Sequence, residues 1–154
     1  MSTVSINPAD LKINFARLKS DVQTLAQIGG GPEGEGVTRI AFSDADMASR
    51  RWLTAQLDAA GIANRMDSAA NVSGVVLPDG GPATAAELAK RTDSVVTGSH
   101  LDSVPAGGHL DGALGVVAGL ECLRVIHESG LKLKRPVEVV AFSDEEGRFG
   151  GMFG

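Results

Sequence analysis

Apolar residues recur at intervals of three and four near the start of the chain, which is the spacing of one face of an α-helix. This stripe consists of Leu11, Phe15, Leu18, Val22 and Leu25. Asn7 followed by Pro8 is a typical helix start, because asparagine caps the first turn and proline fits its first position. The pattern therefore predicts a helix that begins at Asn7-Pro8 and ends before the glycine run at 29–31.

A second amphipathic helix is predicted between Ser43 and Gly61. Ser43 and Asp46 have the spacing of a capping box, in which two side chains bond the first turn reciprocally. Large apolar side chains follow at Met47, Trp52, Leu53 and Leu57. Gly61 stands where a C-terminal cap is expected, so the helix should end there.

Short extended segments are predicted next in the chain. Residues 62–66 and 72–77 have strand-like composition, and a turn rich in proline and glycine closes them at 78–82. The following stretch, 83–91, contains helix-forming residues but few large apolar ones. We interpret it as a surface insertion.

The second half of the chain has the order strand, helix, strand. Residues 94–99 are partly β-branched and bounded by turn residues, which predicts a buried strand. Residues 110–128 are apolar on more than one face, so we expect a helix buried against the sheet, and a second strand follows at 137–142. This order predicts an α/β fold in which a layered sheet with a parallel βαβ core is flanked by helices.

Composition narrows the class of protein. The 154 residues include 14 Lys or Arg and 19 Asp or Glu, a formal net charge of -5 at pH 7, which argues against nucleic-acid binding. Cys122 is the single cysteine, and we interpret it as a small hydrophobic residue of the apolar helix. No apolar run approaches the ~18 residues of a membrane span, and the Met1-Ser2-Thr3 start lacks a signal-peptide pattern. We therefore expect a cytoplasmic protein that does not bind membranes.

Acidic and imidazole side chains collect where the two parallel strands end. Open α/β sheets bind ligands at the carboxyl ends of their strands. The residues concerned are His100, Asp102, Asp111, Asp144, Glu145 and Glu146. Their grouping indicates a metal site at this edge of the sheet.

Each of these residue types fits a part of metal-assisted hydrolysis. In an extended segment His100 and Asp102 face the same way, so the carboxylate can accept the second N–H of a metal-bound imidazole. Asp111 opens the buried helix, where negative charge is favoured, and its carboxylate can be shared between two cations. Of the adjacent pair Glu145 and Glu146, one can bind metal while the other moves a proton.

The same residues have ordinary alternatives when each is taken alone. A single histidine at a strand end is more often a hydrogen-bonded polar residue, Asp111 could be a helix cap, and the acidic run 144–146 could be a solvated turn. Two further histidines have structural interpretations: His109 is expected to be exposed in its glycine-rich turn, although it could touch substrate, and His127 lies near a helix C-terminus. The combination of groups is what favours the metal site.

The chain resembles the M20 metallopeptidase superfamily, and within it the branch of amidases that includes hydantoinases and carbamoylases. The resemblance rests on the segments 98–105 (GSHLDSVP), 107–116 (GGHLDGALGV) and 142–147 (FSDEEG). It extends to residues 36–39 and 42–46, which are similar to the N-terminal loop and helix of this branch. It implies a catalytic domain like that of zinc peptidases.

The resemblance also implies a role for each matching residue. His100 would bind one metal ion, Asp111 would bridge two, and Glu146 would bind the other. Glu145 would be the general base and Asp102 would support His100. The cofactors implied are two divalent metal ions, which Zn, Mn, Co or Ni would suit.

The implied reaction is the hydrolysis of a linear C–N bond in a small ureido or carbamoyl compound, such as an N-carbamoyl-L-amino acid or allantoate. The family uses two more metal-binding histidines and an inserted lid and dimerisation domain. We therefore expect residues 1–154 to be the N-terminal part of the catalytic domain, inactive alone, of a homodimeric protein.

Gly147-Arg148-Phe149 lacks a residue that the family often has there, which leaves the alignment of this loop open. The alternatives are an M20 aminopeptidase or deacylase and a non-catalytic metal-binding fragment.

Overall fold

A four-stranded mixed sheet lies at the centre of the computed structural model, which describes residues 7–32, 34–81 and 83–150. The strands are β1 (Ala63–Met66), β2 (Val72–Val76), β3 (Val95–His100) and β4 (Val137–Phe142). Their order across the sheet is β1-β2-β4-β3. The pairs β1/β2 and β2/β4 are antiparallel, whereas β3 and β4 are parallel. The predicted α/β sheet with a parallel βαβ unit is confirmed.

Four α-helices accompany the sheet in the part of the chain that the structure describes. They are α1 (Phe15–Gln27), α2 (Asp44–Ala59), α3 (Ala85–Leu88) and α4 (Ala113–Ser129). Helix α4 connects β3 to β4 and contributes fully buried side chains to the core, among them Val116, Leu120 and Leu123. Leu25 of α1 and Leu57 of α2 belong to the same apolar cluster, so both helices are anchored to the sheet by burial of one face.

The first predicted helix is wrong at its start. Asn7 does cap a turn, but that turn is a short 3-10 helix, Pro8–Asp10, which ends at Leu11 in extended backbone. Asn14 provides a second cap by accepting a hydrogen bond from the Arg17 N–H, and α1 begins only at Phe15. Phe15 is 67% exposed and therefore does not belong to the apolar stripe. The segment that the periodicity predicts as one helix is therefore a short 3-10 turn followed by a separate helix, each with its own asparagine cap.

The strand predicted as buried is present but exposed. Val95 and Val96 of β3 are 55% and 53% exposed. The cause is its position in the sheet, because β3 is an edge strand whose neighbour among the described strands is β4 alone. A short β-branched run gives no information about how many partners a strand has.

Helix α4 is buried against the sheet as predicted, but it begins later than predicted and leaves part of its surface exposed. Its N-cap is Gly112, three residues into the predicted span. Leu114 is 42% exposed, and Cys122, which was interpreted as a small hydrophobic residue of this helix, is exposed as well. Both side chains lie on the face of α4 that points away from the core.

The predicted surface insertion is mainly exposed and contains α3. Thr84 and Glu87 form a reciprocal capping box, and the hydrogen bonds from Thr84 hold the pKa of Glu87 below its ordinary value. Leu88 is buried and fixes the segment to the rest of the molecule. Pro82 in the turn before it, the Met1-Ser2-Thr3 start and residues 151–154 lie outside the described residues.

Among the residues that the structure describes, none of the helices has the length and apolarity needed to span a lipid bilayer.

Leu120→Ala should destabilise the fold through loss of packing at the centre of the core. Leu120 is completely buried, so its truncation is expected to lower the free energy of unfolding by about 2–5 kcal/mol. Leu114→Ala on the exposed face of the same helix is the control, with an expected loss below about 0.5 kcal/mol. Denaturant titration measures both, and similar losses would show that the two faces of α4 are wrongly assigned.

Candidate metal centre

The candidate site lies at the carboxyl ends of β3 and β4. The parallel register pairs Ser99 with Ala141 and His100 with Phe142, so both strands end at the same level. The segments that leave these strands therefore start side by side, although His100 and its partner Phe142 are 42 positions apart in sequence. This is the position at which α/β sheets carry their ligand sites.

Three side chains converge there with the geometry of a ligand cluster. His100, Glu145 and Glu146 each offer one donor atom, and these atoms all lie within 4.8 Å of one another. His100 Nε2 is 3.4 Å from Glu145 Oε2. The imidazole is buried, whereas both glutamates are partly exposed, so the cluster is open to solvent on its carboxylate side.

The orientation of His100 is set by the main chain. Its Nδ1 lies 3.0 Å from the carbonyl oxygen of Asp102, and because a carbonyl only accepts, Nδ1 carries the proton. In the neutral imidazole this tautomer leaves the lone pair on Nε2, the nitrogen that faces Glu145. Asp102 thus holds His100 through its carbonyl, while its carboxylate Oδ1 is 3.7 Å from Nδ1. The motif predicts instead that the carboxylate of Asp102 makes this contact.

The carboxylate of Asp102 instead connects the two strand ends. Asp102 is completely buried, and its Oδ2 accepts a hydrogen bond of 3.1 Å from the main-chain N–H of Glu146. Oδ1 has no hydrogen-bond partner among the described residues and lies 3.9 Å from the guanidinium of Arg50. One side chain therefore contacts both the segment of His100 and the segment of Glu146.

Asp144 holds the loop that carries the two glutamates. It has a φ of +54°, in the left-handed region that aspartate tolerates better than most residues. Its buried carboxylate accepts the N–H groups of Phe149, at 3.0 Å, and Gly150, at 2.9 Å. The loop is thereby folded back on itself. Asp144 belongs to the predicted acidic group, but it lies outside the three-residue cluster.

Asp111 is exposed and also lies outside this cluster. The cap of α4 is Gly112, which makes no side-chain hydrogen bond, so the alternative interpretation of Asp111 as the helix cap is wrong. Gly112 has a φ of +61° and lies so close to His100 that a Cβ there would collide with the imidazole ring. Asp111 therefore immediately precedes the residue that lies against the His100 ring.

An aromatic pair joins the loops on either side of the site. Phe42 precedes α2 and Phe149 follows the glutamates, and their ring centroids are 5.7 Å apart. Both rings are largely exposed. The loop of the acidic run is thus in contact with the N-terminal part of the chain.

The two other histidines lie elsewhere. His109 is exposed, as predicted, and lines an open groove of about 570 Å³ together with Gln23, Gln27 and other residues of α1. None of the three cluster residues lines that groove. His127 is partly buried in the last turn of α4.

Buried arginines are the part of the site that the sequence analysis missed. Arg39 and Arg50 are both completely buried. Arg39 donates through Nε to the carbonyl of Leu101, at 2.7 Å. Burial lowers the pKa of Arg39, and the negative charges of Asp46 and Asp102 oppose that effect. The spacing of Asp46 and Arg50 is that of a helical ion pair, but such pairs are usually exposed and gave no reason to expect burial.

The donor set fits a divalent transition metal. Imidazole nitrogen together with carboxylate oxygen suits zinc, manganese and related ions, and hydrogen bonding of the second ring nitrogen is typical of metal-binding histidines. His100, Glu145 and Glu146 meet both conditions in the geometry described above. The described residues therefore include a group able to hold a metal ion.

Comparison with known proteins first indicates a class of hydrolase. Residues 83–154 match the family model described as Peptidase family M28. The chain is 38% identical over 141 residues to N-carbamoyl-L-amino acid amidohydrolase of Geobacillus stearothermophilus, covering 90% of this chain and 32% of that protein. It is 37% identical over 129 residues to allantoate deiminase 2 of Glycine max, covering 82% and 25% respectively.

Similarity to a solved structure then narrows this class to one family of amidases. The crystal structure of a hydantoinase/carbamoylase family amidase from Burkholderia ambifaria superposes with a TM-score of 0.76 at 34% identity, covering 89% of this chain and 31% of that one. The chain is similar in sequence and in fold to the hydantoinase/carbamoylase family of amidases. The predicted branch is confirmed, although the matching family model is M28 rather than M20. The chain spans less than a third of the length of these relatives.

Gly112→Ala should disturb the cluster by displacing His100. We expect an affinity for Co²⁺ at least tenfold weaker than in the unchanged chain, because the new Cβ would occupy the place of the imidazole. Gly130→Ala, at the other end of α4, has a similar φ of +67° and nothing within contact distance, so it is a matched control.

Both substitutions incur the cost of a left-handed alanine, about 1–2 kcal/mol. Visible absorption of bound Co²⁺ measures the affinity and denaturant titration the stability. An unchanged Co²⁺ affinity in Gly112→Ala would contradict the assignment of His100 to the metal site.

Proposed function

We propose that this chain supplies metal-binding and catalytic residues to a hydrolase of linear C–N bonds, which removes the carbamoyl or ureido group of N-carbamoyl-L-amino acids or allantoate. The observation that carries the proposal is the convergence of His100, Glu145 and Glu146 at the carboxyl ends of two parallel strands. The similarity to an N-carbamoyl-L-amino acid amidohydrolase and to an allantoate deiminase supports this substrate class.

The metal ligands follow from the cluster and from the resemblance of the motifs. His100 would hold one divalent ion and Glu146 a second, with Asp111 shared between the two. Asp102 would keep His100 in the tautomer that exposes Nε2, through the carbonyl contact described above. When bound, divalent ions supply Lewis-acid polarisation of the substrate carbonyl and lower the pKa of water.

Glu145 has the properties of a proton carrier. Its side chain is 41% exposed, so a water molecule and a substrate can reach it, and one of its oxygens already lies near His100 Nε2. We propose that its carboxylate takes a proton from the attacking water and passes it to the departing nitrogen. Hydrolysis of a carbamoyl group then gives ammonia, carbon dioxide and the free amino acid.

The rest of the catalytic domain would correspond to the parts of the relatives that this chain does not match. We propose that residues 1–154 form the N-terminal part of that domain. Further metal ligands and the contact between two subunits of a homodimer would be supplied by the remaining length of the relatives. This arrangement is consistent with the coverage of less than a third of each relative.

A peptidase or deacylase is the second candidate function. The match of residues 83–154 to Peptidase family M28 favours it, because the same ligand cluster can serve the hydrolysis of a peptide or acyl amide. The two candidates differ in substrate and not in the residues that would bind metal. A substrate comparison therefore decides between them.

The whole protein, loaded with Mn²⁺, Zn²⁺ or Co²⁺, should release ammonia from N-carbamoyl-L-amino acids or from allantoate. We expect kcat/KM for these compounds to exceed that for dipeptides and N-acyl amino acids by at least tenfold. Ammonia release and amino-acid analysis measure the two reactions. Preferential cleavage of dipeptides would contradict the ureido or carbamoyl assignment, and metal binding without turnover of any of these compounds would favour a non-catalytic role.

Glu145→Gln in the whole protein should remove the proton carrier while leaving metal bound. General acid–base catalysis contributes about 10²–10⁴-fold, so we expect kcat to fall by that factor with metal content unchanged by elemental analysis. Glu128→Gln is the control, because Glu128 is exposed and pairs with Arg17 on α1. Retention of kcat in Glu145→Gln would exclude Glu145 as the base.

A further inference from the structure

A single buried guanidinium connects the elements that surround the candidate metal centre. Arg50 on α2 is completely buried, and its Nε lies 3.0 Å from both carboxylate oxygens of Asp46. Nη1 donates to the carbonyls of Ala70, at 2.8 Å, and Ala141, at 3.3 Å. Nη2 donates to the carbonyl of Phe142, at 3.2 Å. Arg50 therefore fixes the last two residues of β4, immediately before the acidic loop.

The same guanidinium is directed toward Asp102. Arg50 Nη2 lies 3.9 Å from Asp102 Oδ1, the buried oxygen that has no hydrogen-bond partner among the described residues. The other oxygen of Asp102 holds the N–H of Glu146, and the carbonyl of Asp102 holds His100. Asp102 thus lies between Arg50 and two members of the cluster.

We infer that Arg50 is a positioning residue of the metal centre, which acts through Asp102 and through the end of β4 to keep His100 and Glu146 at ligand distance. The inference rests on the proposed function, because it assigns Arg50 to the metal site of that hydrolase. It differs from a purely structural role in one respect: the effect of Arg50 on metal binding depends on the carboxylate of Asp102.

The charges around Arg50 indicate that it contributes to metal binding through the alignment of its neighbours and not through its net charge. Asp46 neutralises Arg50 within the same helix, and Arg39 is a second buried cation near Asp102. Two cations and two carboxylates are therefore buried together. Removing a positive charge here would by itself favour the binding of a metal cation, whereas loss of alignment would weaken it. The two effects have opposite signs and can be distinguished.

Replacement of Arg50 by lysine separates the effect of charge from the effect of alignment. Arg50→Lys keeps the positive charge, but an ammonium group is a compact point charge and cannot reproduce the planar fork that contacts Asp46 and three carbonyls at once. The alignment of β4 and Asp102 is lost while the net charge stays the same. A change in metal affinity then measures the contribution of this alignment.

Arg124→Lys is a matched control on the other side of the molecule. Arg124 is buried, forms an ion pair with Asp21 and donates to Gln56 Oε1 at 2.7 Å. It is thus a second buried arginine with a carboxylate partner, and the structure shows no contact between it and the cluster residues among its hydrogen bonds and ion pairs. Its replacement should affect stability only.

The experiment is a titration of the whole protein with Co²⁺, followed by visible absorption and by isothermal calorimetry. We expect Arg50→Lys to weaken the affinity for Co²⁺ by about tenfold or more, within the range seen for residues that support metal ligands, and Arg124→Lys to stay within twofold of the unchanged chain. In an Asp102→Asn background, Arg50→Lys should have a clearly smaller effect, because the part of its action that passes through the Asp102 carboxylate is already lost.

Each result has a definite meaning. A Co²⁺ affinity of Arg50→Lys that is equal to or tighter than that of the unchanged chain would overturn the inference, and so would an equal loss in the Asp102→Asn background. Failure of the unchanged chain to bind Co²⁺ would instead overturn the proposed metal site itself. If Arg50→Lys does not fold, Asp46→Asn takes its place, since it removes the carboxylate that orients Arg50, and an unchanged affinity there would likewise overturn the inference.

Discussion

The parallel pairing of β3 with β4 is the constraint on which the site depends. It brings His100 opposite Phe142, and the residues that follow each strand are then forced into one small region. Asp102 completes the connection by holding the N–H of Glu146 with its carboxylate and the imidazole of His100 with its carbonyl. A shift of one residue in this register would turn His100 to the other face of the sheet and separate it from both glutamates.

Motifs in the sequence predicted the residues of the candidate site better than hydrophobic periodicity predicted the boundaries of the helices. His100, Glu145 and Glu146 were found because strand ends and acidic or imidazole residues coincide, and that coincidence is local in sequence. The start of α1 could not be found in the same way, since Asn7 and Asn14 are both good caps and the choice between them depends on Glu121 of α4, which accepts the N–H of Asn14. Competition between local signals is decided by tertiary contacts.

Burial was the property that the sequence predicted least well. Val95 and Val96 are typical of a buried strand, yet they are exposed because of the position of β3 in the sheet. Arg39 and Arg50 are typical of a surface, yet they are completely buried because main-chain carbonyls and carboxylates surround them. In each case the deciding partner lies far away in sequence, and no window of neighbouring residues contains it.

The outer edge of β3 also has a consequence for the behaviour of the polypeptide. An edge strand presents main-chain donors and acceptors in the direction away from its neighbour, and two valines with more than half of their surface exposed adjoin that row. Strand addition between copies needs no more than such a row and low local charge. Among the described strands this edge of β3 is unpaired, and a covering segment or an introduced lysine would protect it against the addition of another strand.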